Sequence, residues 1–179
     1  MKCANSSDVI TLECEDEPQE LNLKFESPDQ SKVSKFTLSL MLQEEEQLQI
    51  PNTVYSSKVE LPSSEFSRIV RELSQLSDSV KIETNKKSIT FSVVGDVSSG
   101  EMEIKENNID KEGEKISVEV DEPVTMSFSL TFLNSFCKAS SLSDSVKLFM
   151  SEGTPLVIEY KIGELGELKF YLAPKLSDN

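Results

Sequence analysis

The sequence predicts an α+β fold built from a strand–helix–three-strand unit used twice, with antiparallel sheets and the helices on one face. Three observations predict it. Short runs such as Leu21–Glu26 and Val33–Leu40 alternate apolar and polar residues, the period of a half-buried strand. The stretch after Pro62 carries Phe66, Ile69, Val70 and Leu73 at i, i+3, i+4, i+7, the apolar stripe of a helix. The heptapeptide Leu76-Ser77-Asp78-Ser79-Val80-Lys81-Ile82 recurs 66 residues later as Leu142-Ser143-Asp144-Ser145-Val146-Lys147-Leu148. Each copy follows a helix that follows a strand, and a repeat at fixed spacing constrains the architecture.

Taken in order, Asp8–Glu15 reads as a strand and Glu17-Pro18 as a turn. Leu21–Glu26 places Leu21, Leu23 and Phe25 on one face. Ser27-Pro28-Asp29 breaks it, and Val33–Leu40 alternates again. Ser56–Leu61 is a strand stopped by Pro62; Ser63 or Ser64 is expected to cap a helix running to about Leu76. Val80–Thr84, Ser88–Val94 and Glu101–Lys105 follow as strands, then the polar loop Glu106–Lys115. Ile116–Val120 and Val124–Leu130 are strands. Thr131–Ala139 is a short helix with Leu133, Phe136 and Cys137 inward and Lys138 outward. Val146–Met150, Leu156–Ile162 and Leu168–Leu172 close the chain.

A third, partial copy begins the chain. Ser7–Leu12 repeats the polar-to-strand transition, and Lys2-Cys3-Ala4 echoes Cys137-Lys138-Ala139 at the end of the second helix. The expectation is a first lobe that lacks its leading strands and helices, so that Leu12, Leu21, Leu23, Phe25, Phe36 and Leu38 sit on sheet faces in need of cover. The expected organisation is a partial lobe over residues 1–40, a connecting strap over 41–55 and a complete second lobe over 56–179.

Composition narrows the chemistry. Eighteen basic against 32 acidic residues give a net charge of −14, with no histidine. A uniformly basic nucleic-acid coat is excluded, while a local cationic face on an acidic body is not. Histidine catalysis and histidine-ligated zinc are absent by composition. Cys3, Cys14 and Cys137 match neither a metal nor a redox spacing, and are expected to be reduced, intracellular thiols. There is no glycine-rich phosphate loop. Asp110, Glu112 and Glu114 lack the remainder of a calcium-loop signature. No apolar run approaches the ~20 residues of a membrane-spanning helix, and no membrane partner is expected. The expectation is a protein that is not an enzyme and that uses no cofactor and no metal.

Two features remain. Met41–Tyr55 (MLQEEEQLQIPNTVY) reads from spacing alone as an ordinary acidic loop, or as an extended strap whose Leu48, Ile50 and Tyr55 offer an apolar foothold. Arg68 and Arg71 lie on the outer side of the first helix and Lys138 on that of its repeat partner. They read as surface charge balance, or as a cationic face whose phosphate contacts would be salt-sensitive and sequence-independent.

The run LQIPNTVYSSKVELPSSEFSRIVRELS, the run Leu130–Ala139 and the C-terminal PLVIEYKIGELGELKFYLAPK resemble the eukaryotic DNA sliding clamps. The resemblance covers the chain in order, except that the chain starts about one third of the way into a clamp subunit. It implies a DNA-clamp fold with a truncated first lobe, and a homotrimeric ring around duplex DNA in the nucleus. Such a ring serves as a processivity factor for DNA polymerase in replication and repair. It implies that Arg68, Arg71, Lys138 and Lys2 face DNA, and that the strap is the interdomain connecting loop. Leu48, Ile50, Pro51 and Tyr55 would then form one wall of a pocket for partner peptides. Pro155, Tyr171, Ala173, Pro174 and Lys175 would form the rest. The clamp loader and the polymerase are among the partners implied. Lys86 matches a lysine that the family modifies with ubiquitin or its relatives, and the seam between subunits would pair Val33–Leu40 with Gly100–Lys105. The alternative is a module that binds peptides without closing a ring.

Overall fold

A computed structural model describes residues 4–16, 19–41, 53–107, 109, 111 and 114–175. The chain divides into two compact units, Met1–Pro51 and Asn52–Asn179.

The first unit is an antiparallel meander of β1 (Val9–Glu13), β2 (Glu20–Glu26) and β3 (Val33–Ser39). Its register aligns Leu12, Leu23 and Phe36 in one cross-strand row, Ile10 with Phe25 in the next, and Leu21 with Leu38. All seven therefore share a face, because side chains alternate along each strand. Leu23 and Phe25 are buried, and Phe25 meets Phe36 edge to face at 5.8 Å. Leu12, Phe36 and Leu38 are exposed on this face as the sequence predicts, and Ile10 joins them.

The β2–β3 turn is built around Asp29. One carboxylate oxygen accepts from the Ser27 hydroxyl at 2.6 Å, the Ser31 hydroxyl at 2.9 Å and the Ser31 N–H at 3.2 Å. The turn places Gln30 at φ 57°. These donors favour the charged carboxylate and hold its pKa down to about 2. The contribution of Asp29 to the turn should thus be complete above the ordinary carboxylate pKa and vanish as pH falls through about 2. An NMR titration of the Asp29 carboxyl should show this low midpoint; a midpoint near 3.8 would contradict the geometry.

The second unit holds two sheets and one core. β4 (Ser57–Pro62), α1 (Ser63–Leu73), β5 (Ser79–Asn85), β6 (Ser88–Val94) and β7 (Ser99–Lys105) form the first copy of the repeat. After β8 (Ser117–Val120), the second copy runs through β9 (Val124–Ser129), α2 (Leu130–Phe136), a 3-10 turn (Cys137–Leu142), β10 (Ser145–Met150), β11 (Leu156–Ile162) and β12 (Gly166–Leu172). The strand orders are β12-β11-β10-β4-β8 and β7-β6-β5-β9. Each copy thus lends its leading strand to the other copy's sheet: β4 pairs with β10, and β9 with β5. Inward residues of both sheets meet α1, α2 and the 3-10 turn in one core that includes Leu61, Phe66, Ile82, Phe91, Phe128, Leu133, Leu148 and Tyr160.

The repeated Leu-Ser-Asp-Ser-Val segment has a structural task. The Ser63 N–H, which opens α1, donates to the Asp144 carbonyl at 2.9 Å, and the Leu130 N–H, which opens α2, donates to the Asp78 carbonyl at 2.9 Å. Helix starts leave N–H groups without partners inside the helix, and here each copy supplies an acceptor to the other. The expectation that Ser63 or Ser64 caps α1 through its hydroxyl is not met. The cap position falls on Pro62, and among the described residues no side chain caps the helix and the buried Ser63 hydroxyl has no partner.

Helix α1 also ends earlier than its apolar period suggests. Leu76 N–H bonds to the Leu73 carbonyl, one residue tighter than an α-turn. The Leu76 carbonyl then lies against Gly95, where a Cβ would fall 2.1 Å from that oxygen. Only glycine fits there, so the β6–β7 turn seats directly on the end of the helix. Likewise α2 gives way to the 3-10 turn at Cys137, within the stretch Thr131–Ala139 that the sequence predicts as one helix.

Candidate functional site

On α1, Phe66, Ile69, Val70 and Leu73 are buried and Arg68 and Arg71 are exposed, as the apolar stripe predicts. Across the repeat, Phe66 corresponds to Leu133, Val70 to Cys137 and Arg71 to Lys138, each pair 67 residues apart. Inward positions are thus matched by buried side chains, and the outward Arg71 is matched by the exposed Lys138. The two helical segments touch, α1 against both α2 and the 3-10 turn.

The three cations differ in their surroundings. Arg68 donates from Nε and Nη2 to Glu65 at 3.1 and 2.5 Å, and from Nη1 to both oxygens of Glu72 at 3.0 and 3.1 Å. These carboxylates push its pKa further above the ordinary arginine value. Arg71 and Lys138 make no ion pair with a described residue. Arg71 occupies the last turn of α1, where the helix dipole favours a cation. Lys2 lies outside the described residues.

The outer face of the five-stranded sheet, away from the helices, carries an apolar row. The register aligns Tyr171 of β12, Val157 of β11, Phe149 of β10 and Lys58 of β4. Tyr55, just before β4, packs its ring on Phe149 at 5.6 Å. Burial raises the Tyr55 pKa, the proximity of Tyr171 adds to the rise, and a hydrogen bond with Thr53 opposes it. Tyr55 and Tyr171 therefore belong to one strip, as the sequence reading groups them.

Val157 and Phe149 belong to the same strip and escape the sequence reading. The signal was present: Leu156-Val157-Ile158 is an unbroken apolar run, and alternation puts Val157 on the outer face, where it is buried within the strip. Pro155 is exposed beside the start of β11. Ala173 is exposed and Pro174 half-buried. Lys175 leaves the strip: its N–H donates to the Ser127 carbonyl at 2.8 Å and its ammonium reaches the Ser79 hydroxyl. Leu48, Ile50 and Pro51 lie outside the described residues.

A charged row borders the strip on the same face. Glu159, largely buried, sits 3.2 Å from Lys169 and 3.9 Å from Lys147. Lys86 is exposed in the two-residue turn between β5 and β6. Cys137 is buried against Tyr160 and Ser67, and burial pushes its thiol pKa up to about 11, away from nucleophilic chemistry at neutral pH. Among the described residues, no group of three or more cysteine, aspartate or glutamate side chains could hold a metal ion.

Paired helices with outward cations on one side, an apolar strip on the opposite face, and a doubled strand–helix–three-strand unit between them fit the class of DNA sliding clamps. The comparisons identify the family. The model of the proliferating cell nuclear antigen C-terminal domain matches residues 49–175, and that of the N-terminal domain matches residues 1–48. The proliferating cell nuclear antigen of Chaetomium thermophilum is 43% identical over 180 residues, an alignment that covers 100% of this chain and 70% of that relative. The chain belongs to the proliferating cell nuclear antigen family, the sliding-clamp processivity factors of DNA replication and repair.

Proposed function

We propose that this chain assembles head to tail into a trimeric ring around duplex DNA in the nucleus and tethers polymerase and other partners through the strip on its outer sheet. The outer surface of α1 and the 3-10 turn, with Arg68, Arg71 and Lys138, faces the duplex. Tyr55, Phe149 and Tyr171 take the apolar anchors of partner peptides, with Pro155 at the rim. The observation that carries this reading is the repeat-related pair Arg71 and Lys138, exposed on touching helices on the side of the unit opposite the apolar strip. An acidic chain that presents Arg71 and Lys138 together on one helical surface attracts phosphate there against a negative background, so the contact is electrostatic and mobile.

The seam is supported by two edges. β3 ends one sheet and β7 ends another, so each offers unpaired backbone groups to another chain. Lys86, in its exposed turn, is accessible to a modifying enzyme. No catalytic role is proposed.

A second reading, a peptide-binding module that closes no ring, is favoured by the exposed apolar face of the first unit. Light scattering and retention on nicked circular DNA separate the two. The ring reading expects a species of three chains and a retention that falls steeply with salt. A monomer that still binds partner peptides would leave only the module.

A further inference from the structure

We infer that α1 carries its own electrostatic brake: Glu65 and Glu72 hold the Arg68 guanidinium within the helix, so that Arg71 and Lys138 are the principal phosphate-binding cations of this chain. The inference rests on the reading that this helical surface faces DNA, and it ranks residues that the reading treats alike.

The geometry is specific. The Arg68 fork spends Nε–H and one Nη2–H on Glu65, and Nη1 on both oxygens of Glu72. Positions i−3 and i+4 bring both carboxylates to the same guanidinium. The three groups together carry a charge of −1, so a phosphate that approaches Arg68 meets one cation flanked by two anions. An exposed ion pair is worth little by itself. What matters is that its carboxylates stay within a few ångströms of any phosphate bound there, well inside a Debye length of about 10 Å at 0.1 M salt.

The second copy of the repeat has no such arrangement. Ser135 stands where Arg68 would be, Phe132 where Glu65 would be and Ala139 where Glu72 would be. No acidic residue occurs between Leu130 and Leu142. Lys138 is therefore unopposed on its own element, and Arg71 lies one turn beyond Arg68 with no ion partner among the described residues. The consequence is a weak duplex contact at α1, which favours a ring that slides.

The test is fluorescence anisotropy of the full chain on a short labelled duplex over a range of KCl concentrations. Each phosphate neutralised contributes about 0.9 to the slope of log K against log salt, so each change is given per subunit in contact with the duplex. Glu65→Gln with Glu72→Gln should tighten binding several-fold at low salt and steepen the slope by about 0.9. Arg68→Ala should cost little slope in the native background and about 0.9 in the doubly substituted one. Arg71→Ala with Lys138→Ala should flatten the slope by about 1.8. If that last pair matters but the glutamate substitutions change nothing, or if Arg68→Ala costs the same slope in both backgrounds, the brake is overturned and the DNA-facing reading survives. If Arg71→Ala with Lys138→Ala has no effect, or no variant binds duplex, both fall. Circular dichroism melting of each variant keeps lost folding from passing as lost binding.

Discussion

Phe66→Ala is expected to remove about 3–5 kcal/mol of stability from the larger unit, the usual cost of deleting a buried aromatic ring. The ring is fully buried and lies 6.2 Å from Phe91, on a helix that contacts strands of both sheets. Its repeat partner Leu133 is likewise fully buried and belongs to the same core, on a helix that touches α1. A loss of this size is a large fraction of a domain's total of about 5–15 kcal/mol. Urea unfolding followed at 222 nm should show a strongly lowered midpoint. A shift worth less than about 1 kcal/mol would mean that α1 is not anchored as described.

Tyr55→Ala should weaken binding of a peptide with aliphatic and aromatic anchors at least tenfold, a loss of about 1.4 kcal/mol or more. The ring leans on Phe149 and borders Tyr171, so its removal opens the centre of the apolar row. It lies on the sheet surface and is not part of the buried core, so the unfolding midpoint should move far less than for Phe66→Ala. Isothermal calorimetry reads the affinity. Lys81→Ala, on β5 of the other sheet and paired with Glu83 at 3.8 Å, serves as the control and should leave it intact. Equal losses in both variants, or none in Tyr55→Ala, would put docking elsewhere.

The elements were legible because their side chains obey local periods. β2, β3 and the buried stripe of α1 follow from alternation and from i, i+3, i+4 spacing alone. The exchange of leading strands was not legible, because pairing between β4 and β10 joins residues far apart in sequence and leaves no local period. The repeated Leu-Ser-Asp-Ser-Val segment showed that two copies exist, but not that each carbonyl serves the other copy's helix. At the candidate site, the outward arginines were legible and their inequality was overlooked. Glu65 and Glu72 stand at the spacings from Arg68 that allow ion pairs, so the sequence contained that signal too. Val157 was hidden in a run that looks like ordinary core.

The reciprocal bonds between Ser63 and Asp144 and between Leu130 and Asp78 bear on how the larger unit comes into being. Neither half of it is a finished object. Until the chain has returned with β10, β4 lacks a neighbour on that side, and α1 lacks the acceptor for its first N–H. Completion must therefore wait for nearly the whole unit to emerge from the ribosome. The closure of so long a loop makes acquisition of the native state slower than local pairing would. The same entanglement makes loss of structure cooperative. A clamp half that frayed alone would expose its sheet edge to aggregation, and the exchanged strands are expected to make the two halves open together.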